Sequence, residues 1–356
     1  MIPPNTPASE LELLPQPTGV RTALTLRRPL RVVSIGGGTG LSTLLRGLRS
    51  HVTAPNQPEA GLISDLAAVV TVTDDGGSSG RLRKGFNMLP PGDLRNCMVA
   101  LSEEEDLLAK LFAHRFQKGD SLKGHNFGNL FVAALTEITG DFGQAIQLAS
   151  KILATRGRIY PVTTANATLV ARMDDGSLVR GETLITASSK RIAELMLDPP
   201  DAAPLPETIE AIERADLISV GPGSLYTSLI TNMLVRDMPA ALARAKGVRV
   251  YICNLMTQAN ESLGLSASQH IERIYEHTHA PIFDYALVNT ATFSPETLAR
   301  YAATEASPIE ADIERIEALG VHCITGNFAS EDTLVRHAAG RVTSALLALG
   351  GAALVP

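Results

Sequence analysis

The feature that most constrains the fold is a run of β-branched residues that ends abruptly in four glycines. Residues 31–40 read Arg-Val-Val-Ser-Ile-Gly-Gly-Gly-Thr-Gly, and an apolar helical pattern begins at Leu41. This order predicts a strand, a tight loop and the start of a helix. Glycines lack the Cβ atoms that would keep a phosphate away from the backbone, and free N–H groups at a helix N-terminus favour an anion. The candidate phosphate-binding residues are Gly36, Gly37, Gly38, Thr39 and Gly40.

This loop departs from the two commonest nucleotide-binding patterns. Gly36, Gly38 and Gly40 have the spacing Gly-x-Gly-x-Gly, and Leu41 stands where the last glycine of the dinucleotide fingerprint is expected. Residues 41–43 contain no lysine, so a Walker-type ATPase or kinase is not indicated. The alternative is a tight turn without a ligand, but the entropic cost of four glycines favours a ligand.

Composition restricts the class of protein. With 356 residues, 45% of them hydrophobic, the chain can bury a large core. A net charge of −6 and the absence of tryptophan argue against a nucleic-acid partner and favour a small molecule. Cys97, Cys253 and Cys323 form no Cys-x-x-Cys pair, so neither a disulfide framework nor a metal cluster is expected. No apolar run reaches the roughly 20 residues of a membrane span, so a cytoplasmic protein is predicted.

The order of the elements predicts an α/β fold, a Rossmann-like doubly wound sheet that is mostly parallel. A flexible N-terminal extension is expected over residues 1–30, followed by one nucleotide-binding domain over 31–350. A helical insert is expected over 93–116 and 129–154, and a small antiparallel excursion over 161–184, around the turn Asp174-Asp175-Gly176. Further strands are expected over 66–72, 215–220, 247–253, 284–289 and 322–324, and further helices over 207–214, 225–234, 266–276 and 333–349.

Polar residues recur where these strands end. Asp74 and Asp75 follow the second strand, Gly221, Gly223 and Ser224 follow a later one, and Asn254 follows the next. Ligands of open parallel sheets bind beyond the carboxyl ends of the strands, so these segments are predicted to share one crevice. A second glycine loop there would suit a diphosphate. Asp74 or Asp75 is a candidate for a sugar hydroxyl or for magnesium, with a turn cap as the alternative.

The segment Gly-His-Asn-Phe-Gly-Asn at 124–129 places an imidazole and two amides directly before an apolar helix. His125 and Asn129 are therefore candidates either for contact with a ligand or for bracing the loop. Asp93 follows Pro-Pro-Gly, and a role as a helix cap accounts for it.

Taken together, these segments resemble the gluconeogenesis factor family, also called the YvcK-like proteins. The resemblance rests on Ile-Gly-Gly-Gly-Thr-Gly-Leu at 35–41, Thr-Val-Thr-Asp-Asp-Gly-Gly-Ser-Ser-Gly-Arg-Leu-Arg at 71–83, Leu-Pro-Pro-Gly-Asp-Leu-Arg-Asn-Cys at 89–97, Gly-His-Asn-Phe-Gly-Asn at 124–129, Gly-Pro-Gly-Ser-Leu-Tyr-Thr-Ser at 221–228 and Cys-Asn-Leu-Met-Thr-Gln at 253–258. The same superfamily contains the 2-phospho-L-lactate transferases. After Gln258 this chain reads Ala-Asn-Glu-Ser-Leu-Gly-Leu, whereas the family tends to read Pro-Gly-Glu-Thr-Asp-Gly-Tyr.

The resemblance implies a regulatory protein that binds a UDP-sugar, notably UDP-N-acetylglucosamine, and supports cell shape and envelope synthesis during gluconeogenic growth. It implies no required cofactor, although magnesium is compatible with it, and a protein partner in envelope synthesis and a homo-oligomer are expected. The ligand positions it implies are Gly37, Gly38, Thr39, Asp74, Asn129, Gly223, Ser224 and Asn254, with Tyr285 packing on the base.

Two other functions fit less well. A magnesium-dependent phosphotransferase of the phospholactate type would use Asp74 or Asp75 to hold the metal. A dinucleotide oxidoreductase would fit the crevice but lacks the third glycine of its fingerprint.

Overall fold

The computed structural model describes residues 28–53, 61–103, 107–259 and 261–352. The predicted N-terminal extension lies outside these residues apart from its last three positions. The strands, in chain order, are β1 (Leu30–Gly36), β2 (Ile63–Val70), β3 (Arg158–Pro161), β4 (Thr168–Met173), β5 (Leu178–Arg180), β6 (Ile192–Asp198), β7 (Leu217–Val220), β8 (Val248–Ile252), β9 (Tyr285–Asn289), β10 (His322–Gly326), β11 (Ala329–Glu331) and β12 (Val335–His337).

Helices surround these strands. They are α1 (Gly38–Arg49), α2 (Gly77–Phe86), α3 (Gly92–Leu101), α4 (Leu107–Ala113), α5 (Phe127–Thr139), α6 (Phe142–Ile152), α7 (Glu182–Thr186), α8 (Pro206–Arg214), α9 (Thr231–Met233), α10 (Met238–Arg244), α11 (Ala267–Thr278), α12 (Pro295–Ala302), α13 (Ile313–Ala318) and α14 (Ala339–Ala352), with a π-helix over Leu225–Ile230. No helix in the described part of the chain has the length and apolar character needed to cross a membrane.

Seven strands form one parallel sheet in the order β10-β9-β8-β7-β1-β2-β3. The chain winds outward from β1 in both directions, so the order reverses between β1 and β7. This confirms the doubly wound Rossmann-like fold, and it places the expected binding crevice at the carboxyl ends of β1 and β7. Both of these strands run directly into glycine loops.

The central strands are buried on both faces. In β1 the side chains of Val32, Val33 and Ile35 are at most 2% exposed, and helices cover both sides of the sheet. Such continuous apolar strands are typical of parallel sheets, whose crossover helices shield each face from water. Because the sheet is rigid, it fixes the positions of the two glycine loops that follow β1 and β7.

The antiparallel excursion forms a three-stranded sheet in the order β5-β4-β6, and the turn at Asp174–Gly176 joins β4 to β5 as predicted. Its extent differs from the expectation. Pro161 closes a strand of the main sheet, and β6 lies beyond residue 184. The sequence pattern missed β6 because its pairing partner, β4, lies about twenty residues earlier in the chain.

The predicted helices of the insert are each divided in two. Gly140, in the left-handed region at φ 69°, ends α5, and the Asp141 carboxylate accepts the Gln144 N–H to begin α6. Near the C-terminus, the helix expected over 333–349 begins only at Ala339, because Val335–His337 pairs with Ala329–Glu331 as a short hairpin. This hairpin reaches the binding crevice.

Asp216, which lies just before β7, links the beginning of that strand to the beginning of β1. Its carboxylate accepts hydrogen bonds from the guanidinium groups of Arg28 and Arg31 and from the Arg31 N–H. Burial acts to raise the pKa of Asp216, but these bonds outweigh it and hold the pKa well below its usual range.

We expect Asp216→Asn to lower the free energy of unfolding at pH 7 by about 2 kcal/mol, because it removes a charge that two guanidiniums share. The difference from the wild type shrinks as the pH falls from the carboxyl's unfolded pKa toward its much lower folded pKa, because the unfolded chain binds the proton first, so it should be smaller at pH 2.5 than at pH 7. Urea unfolding at pH 7 and pH 2.5 measures this. Asp65→Asn, which disrupts the exposed pair with Arg158, is the control and should change the free energy little.

Candidate functional site

An open cleft of about 520 Å³ lies at the carboxyl ends of β1 and β7. The first glycine loop, the second glycine loop and the segment after β8 form its walls. Of the predicted ligand residues, those that line it are Gly37, Gly38, Thr39, Gly40, Asp74, Gly223, Ser224 and Asn254. The cleft is thus the crevice that the strand ends predicted.

The two glycine loops touch each other. A Cβ atom on Gly40 would lie 2.4 Å from the Pro222 carbonyl oxygen and 3.2 Å from the Gly223 nitrogen. Gly38 has φ 64°, in the left-handed region that favours glycine. The approach of the loops therefore requires glycine at position 40, and the turn requires it at position 38.

The side chain of Asn232 fixes the spacing of the loops, because it links the first loop to the π-helix that follows the second. Its side-chain amide donates to the Gly36 carbonyl at 3.1 Å and to the Ser228 carbonyl at 2.6 Å. The Gly36 carbonyl also accepts the Thr71 N–H from the end of β2. Gly36, at the end of β1, and Gly221, directly after β7, therefore hold the two loops at the ends of their strands. The residues that follow them in each loop line the cleft.

Asp93 occupies an unexpected place. Its carboxylate accepts the Gly38 N–H at 2.8 Å, so it caps α1 rather than its own helix α3, whose N-cap is Pro91. Burial raises the pKa of Asp93 to about 6; the Gly38 N–H acts to lower it and the Asp74 charge to raise it. The protein thus holds one of its own carboxyls against the first glycine loop.

Glu182, from α7 of the antiparallel excursion, completes an acidic end of the cleft. Burial raises its pKa to about 8, with contributions from the charges of Asp74 and Asp93. Thr73 Oγ1 donates to Glu182 Oε2 at 3.3 Å. Asp75 points away from this end and accepts the Thr183 N–H, which anchors α7 to the end of β2. In the described residues, no group of three histidine, cysteine or carboxylate side chains is placed to hold a metal ion.

The opposite rim comes from the C-terminal hairpin and α12. Arg336 lines the cleft, and it is the only lysine or arginine among the described lining residues. Tyr301 also lines it, and its hydroxyl oxygen accepts the Val335 N–H at 2.9 Å. Burial lowers the pKa of His337 to about 4, so the imidazole is neutral, and its Nε2 lies 3.0 Å from the Cys253 carbonyl oxygen.

Comparison with known proteins identifies the family of this chain. A family model described as 2-phospho-L-lactate transferase CofD matches residues 32–329. The chain belongs to the CofD family. The gluconeogenesis factor of Bacillus subtilis (strain 168) is 43% identical over 320 residues, which cover 90% of this chain and 98% of that protein. The gluconeogenesis factor of Halalkalibacterium halodurans is 45% identical over 317 residues, covering 89% and 95% respectively.

A solved structure has the same fold. The crystal structure of a Bacillus halodurans protein superposes with a TM-score of 0.85 at 44% identity, and the match covers 90% of this chain and 100% of that one. The resemblance to the gluconeogenesis factors, drawn from the motifs, is therefore confirmed. The family model, over residues 32–329, spans all of the seven-stranded sheet except the first two residues of β1.

Four predicted ligand residues do not line the cleft: Gly36 and Gly221, which lie at the strand ends, and Tyr285 and Asn129. Tyr285 begins β9, at the amino edge of the sheet, and its ring lies 5.5 Å from that of His322. We therefore do not retain it as a base-packing residue, because ligands reach the opposite edge. Asn129 is buried on α5, where its Oδ1 accepts from Arg95 Nε at 3.3 Å. It braces α3, the helix that presents Asp93.

Sequence reasoning missed three cleft residues of this CofD-family chain: Glu182, Tyr301 and Arg336. Glu182 lies in the excursion and the other two near the C-terminus, far in sequence from any glycine loop. A signal was available for Arg336, since Val335 is β-branched and a short strand there would have turned the arginine toward a neighbouring surface.

We expect Glu182→Gln to stabilise the protein at high pH. The carboxyl has a raised pKa in the folded state, so the unfolded chain loses its proton first and the wild type loses stability as the pH rises from about 4.5 to about 8. The variant should exceed the wild type by roughly 2–4 kcal/mol at pH 9 and match it at pH 4. Denaturant unfolding at the two pH values measures this. Glu210→Gln, at an exposed helical pair, should differ by less than about 0.5 kcal/mol at both.

Proposed function

We propose that the cleft binds a nucleoside diphosphate sugar of the UDP-N-acetylglucosamine type, and that the bound state serves regulation. The observation that carries this proposal is the contact between the two glycine loops in a cleft that Arg336 also lines. Two helix-entry loops supply backbone N–H donors, and one guanidinium supplies a positive charge to the same cleft. The cavity of about 520 Å³ is within the usual range for a small-molecule site.

The charges of the cleft suggest a direction for the ligand. The diphosphate lies at the Gly40, Gly223 and Arg336 end, where N–H donors and a cation gather. The neutral hydroxyls of a sugar or ribose lie toward Asp74 and Glu182, whose oxygens accept hydrogen bonds. A diphosphate placed at the acidic end would meet carboxylates instead, so the reverse orientation is unfavourable.

Further polar contacts surround the second loop. Gln258 Nε2 donates to Ser224 Oγ at 3.1 Å and holds that hydroxyl at the cleft surface. Glu261 accepts from Thr227 Oγ1 and from the Tyr226 N–H, beneath the start of the π-helix. The Asn254 side chain makes no hydrogen bond to another described residue and is available to a ligand.

The relatives named gluconeogenesis factor support the wider proposal. On this proposal the protein acts in the cytoplasm during growth on gluconeogenic carbon sources. It signals the level of a nucleotide sugar to a protein partner in envelope synthesis and thereby supports cell shape. A homo-oligomer belongs to the same proposal.

A phosphotransferase is the second candidate, because the matching family model is named for a transferase and carboxylates lie beside the first loop. Asp74 would then hold magnesium near the phosphates. Incubation with UDP-N-acetylglucosamine, magnesium and an alcohol acceptor distinguishes the two: a regulator returns the ligand intact, whereas in a transferase the acceptor hydroxyl attacks the sugar-linked phosphorus, the P–O–P bond breaks and a nucleoside monophosphate is released.

We expect Gly40→Ala to weaken UDP-N-acetylglucosamine binding by at least about tenfold, because the added Cβ would meet the Pro222 carbonyl and separate the loops. Isothermal titration calorimetry measures the dissociation constant. The control is Gly340→Ala on α14, where a Cβ meets nothing within 4 Å, and it should bind as the wild type does. Equal affinities for both variants would contradict the placement of the diphosphate between the loops.

We expect Arg336→Gln to weaken binding of the same ligand by about tenfold to a hundredfold, as the loss of a charge-assisted hydrogen bond implies. Uridine, which lacks phosphates, should bind both proteins alike. Arg315→Gln on α13, outside the cleft, is the matched control. A variant that loses uridine and UDP-N-acetylglucosamine in equal proportion would show that Arg336 does not contact phosphate.

A further inference from the structure

We propose that the residues around Gly124 form a second anion-binding site, which takes a phosphate or carboxylate group of a small molecule. This site is separate from the glycine-loop cleft. It consists of Arg81 on α2 together with Arg115, Gly124 and His125 in the loop between α4 and α5.

Two guanidinium groups converge on one turn of the backbone. Arg81 Nη1 donates to the Lys123 carbonyl at 3.1 Å, and Arg115 Nη1 donates to the next carbonyl, that of Gly124, at 2.7 Å. Gly124 has φ 80°, and a Cβ there would lie 3.1 Å from Arg81 Nη2. Glycine therefore permits both the turn and the close approach of the guanidinium.

The loop that presents these groups is closed by backbone hydrogen bonds. Phe116 N–H donates to the His125 carbonyl at 2.9 Å, and Gly124 N–H donates back to the Phe116 carbonyl at 2.8 Å. An antiparallel bridge between Arg115 and Asn126 continues the pairing. Arg115 thus projects from a paired backbone segment, so less conformational entropy is lost when its side chain binds an anion.

No carboxylate among the described residues pairs with these two cations. In the part of the chain that the structure describes, neither Arg81 nor Arg115 forms an ion pair, whereas Arg172 and Arg180 pair with Glu194 and Asp198. A guanidinium has five N–H donors, and one donor of each of these two groups makes a hydrogen bond to a backbone carbonyl oxygen. Donors remain on both groups for an anion.

The two guanidiniums act against positive charge on their neighbours. Burial lowers the pKa of His125, and the charges of Arg81 and Arg115 lower it further. Burial likewise lowers the pKa of Arg95, with the charge of Arg115 adding to the effect. A bound anion would offset this repulsion, and a planar guanidinium matches the oxygens of a phosphate or carboxylate.

The position of the site limits the size of its ligand. His125 Nδ1 lies 3.1 Å from Ser78 Oγ, and Ser78 follows Asp74 by four residues, so the site lies behind the acidic end of the cleft. A long polyanion would meet that acidic end and the net charge of −6. We therefore assign the site to a small anion rather than to a nucleic acid or an acidic peptide.

The test is calorimetric titration with inorganic phosphate at constant ionic strength, with saturating UDP-N-acetylglucosamine and without it. The wild type should show saturable phosphate binding that persists when the nucleotide sugar is present. The double variant Arg81→Gln, Arg115→Gln should bind phosphate at least about tenfold more weakly. The variant Arg115→Lys keeps the charge and should recover part of the affinity.

Arg172→Gln is the matched control, because it removes an exposed arginine on the antiparallel sheet and should leave phosphate binding unchanged. Circular dichroism and the unfolding temperature without phosphate confirm that each variant is folded. Phosphate binding that is absent in the wild type, equal in the double variant, or abolished by UDP-N-acetylglucosamine would overturn the proposal. Failure of UDP-N-acetylglucosamine to bind the wild type would contradict the proposed function alone, since the phosphate comparison without it stands independently.

Discussion

The contact between the two glycine loops is the constraint on which the rest of the site depends. It arises because β1 and β7 are adjacent in the sheet and both end at the same edge, where the strand order reverses. The absence of a Cβ on Gly40 allows the Pro222 carbonyl to approach, and Asn232 ties the Gly36 carbonyl to the π-helix that follows the second loop. A single set of parallel hydrogen bonds therefore fixes the distance between two groups of N–H donors.

The same edge of the sheet brings opposing charges together. The N–H groups of the glycine loops, the Arg336 guanidinium and the carboxyls of Asp74, Asp93 and Glu182 all line one cleft, and Asp93 contacts the first loop directly. The raised pKa values of Asp93 and Glu182 show that the carboxyls are held where their charge is unfavourable. Burying these carboxyls beside a cavity lowers the stability of the fold. Such a cost is typical of functional sites rather than of residues that serve only packing. Asp93 also satisfies a backbone donor at the N-terminus of α1, since its carboxylate accepts the Gly38 N–H.

Much of the fold followed from local patterns. The strand that ends in Gly36, the apolar strand before Asp74 and the later strands at 217–220, 248–252 and 285–289 were all identified within a few residues. Elements that depend on pairing with distant segments were not. β6 and the hairpin of β11 and β12 are short, and their partners, rather than their own composition, make them strands. The helix predicted over 129–154 was divided where the left-handed Gly140 and the capping Asp141 gave the chain a better local alternative.

The sequence by itself determined the doubly wound sheet, the two glycine loops and their convergence with Asp74 and Asn254. These follow from short-range spacing and from the rule that parallel strands end at a common edge. Only the tertiary structure decided that Asp93 caps α1, that Glu182 and Arg336 enter the cleft from the excursion and the C-terminal hairpin, and that Tyr285 lies at the far edge. The physical reason is that contacts between segments far apart in the chain depend on the packing of whole elements, which no local pattern of residues specifies.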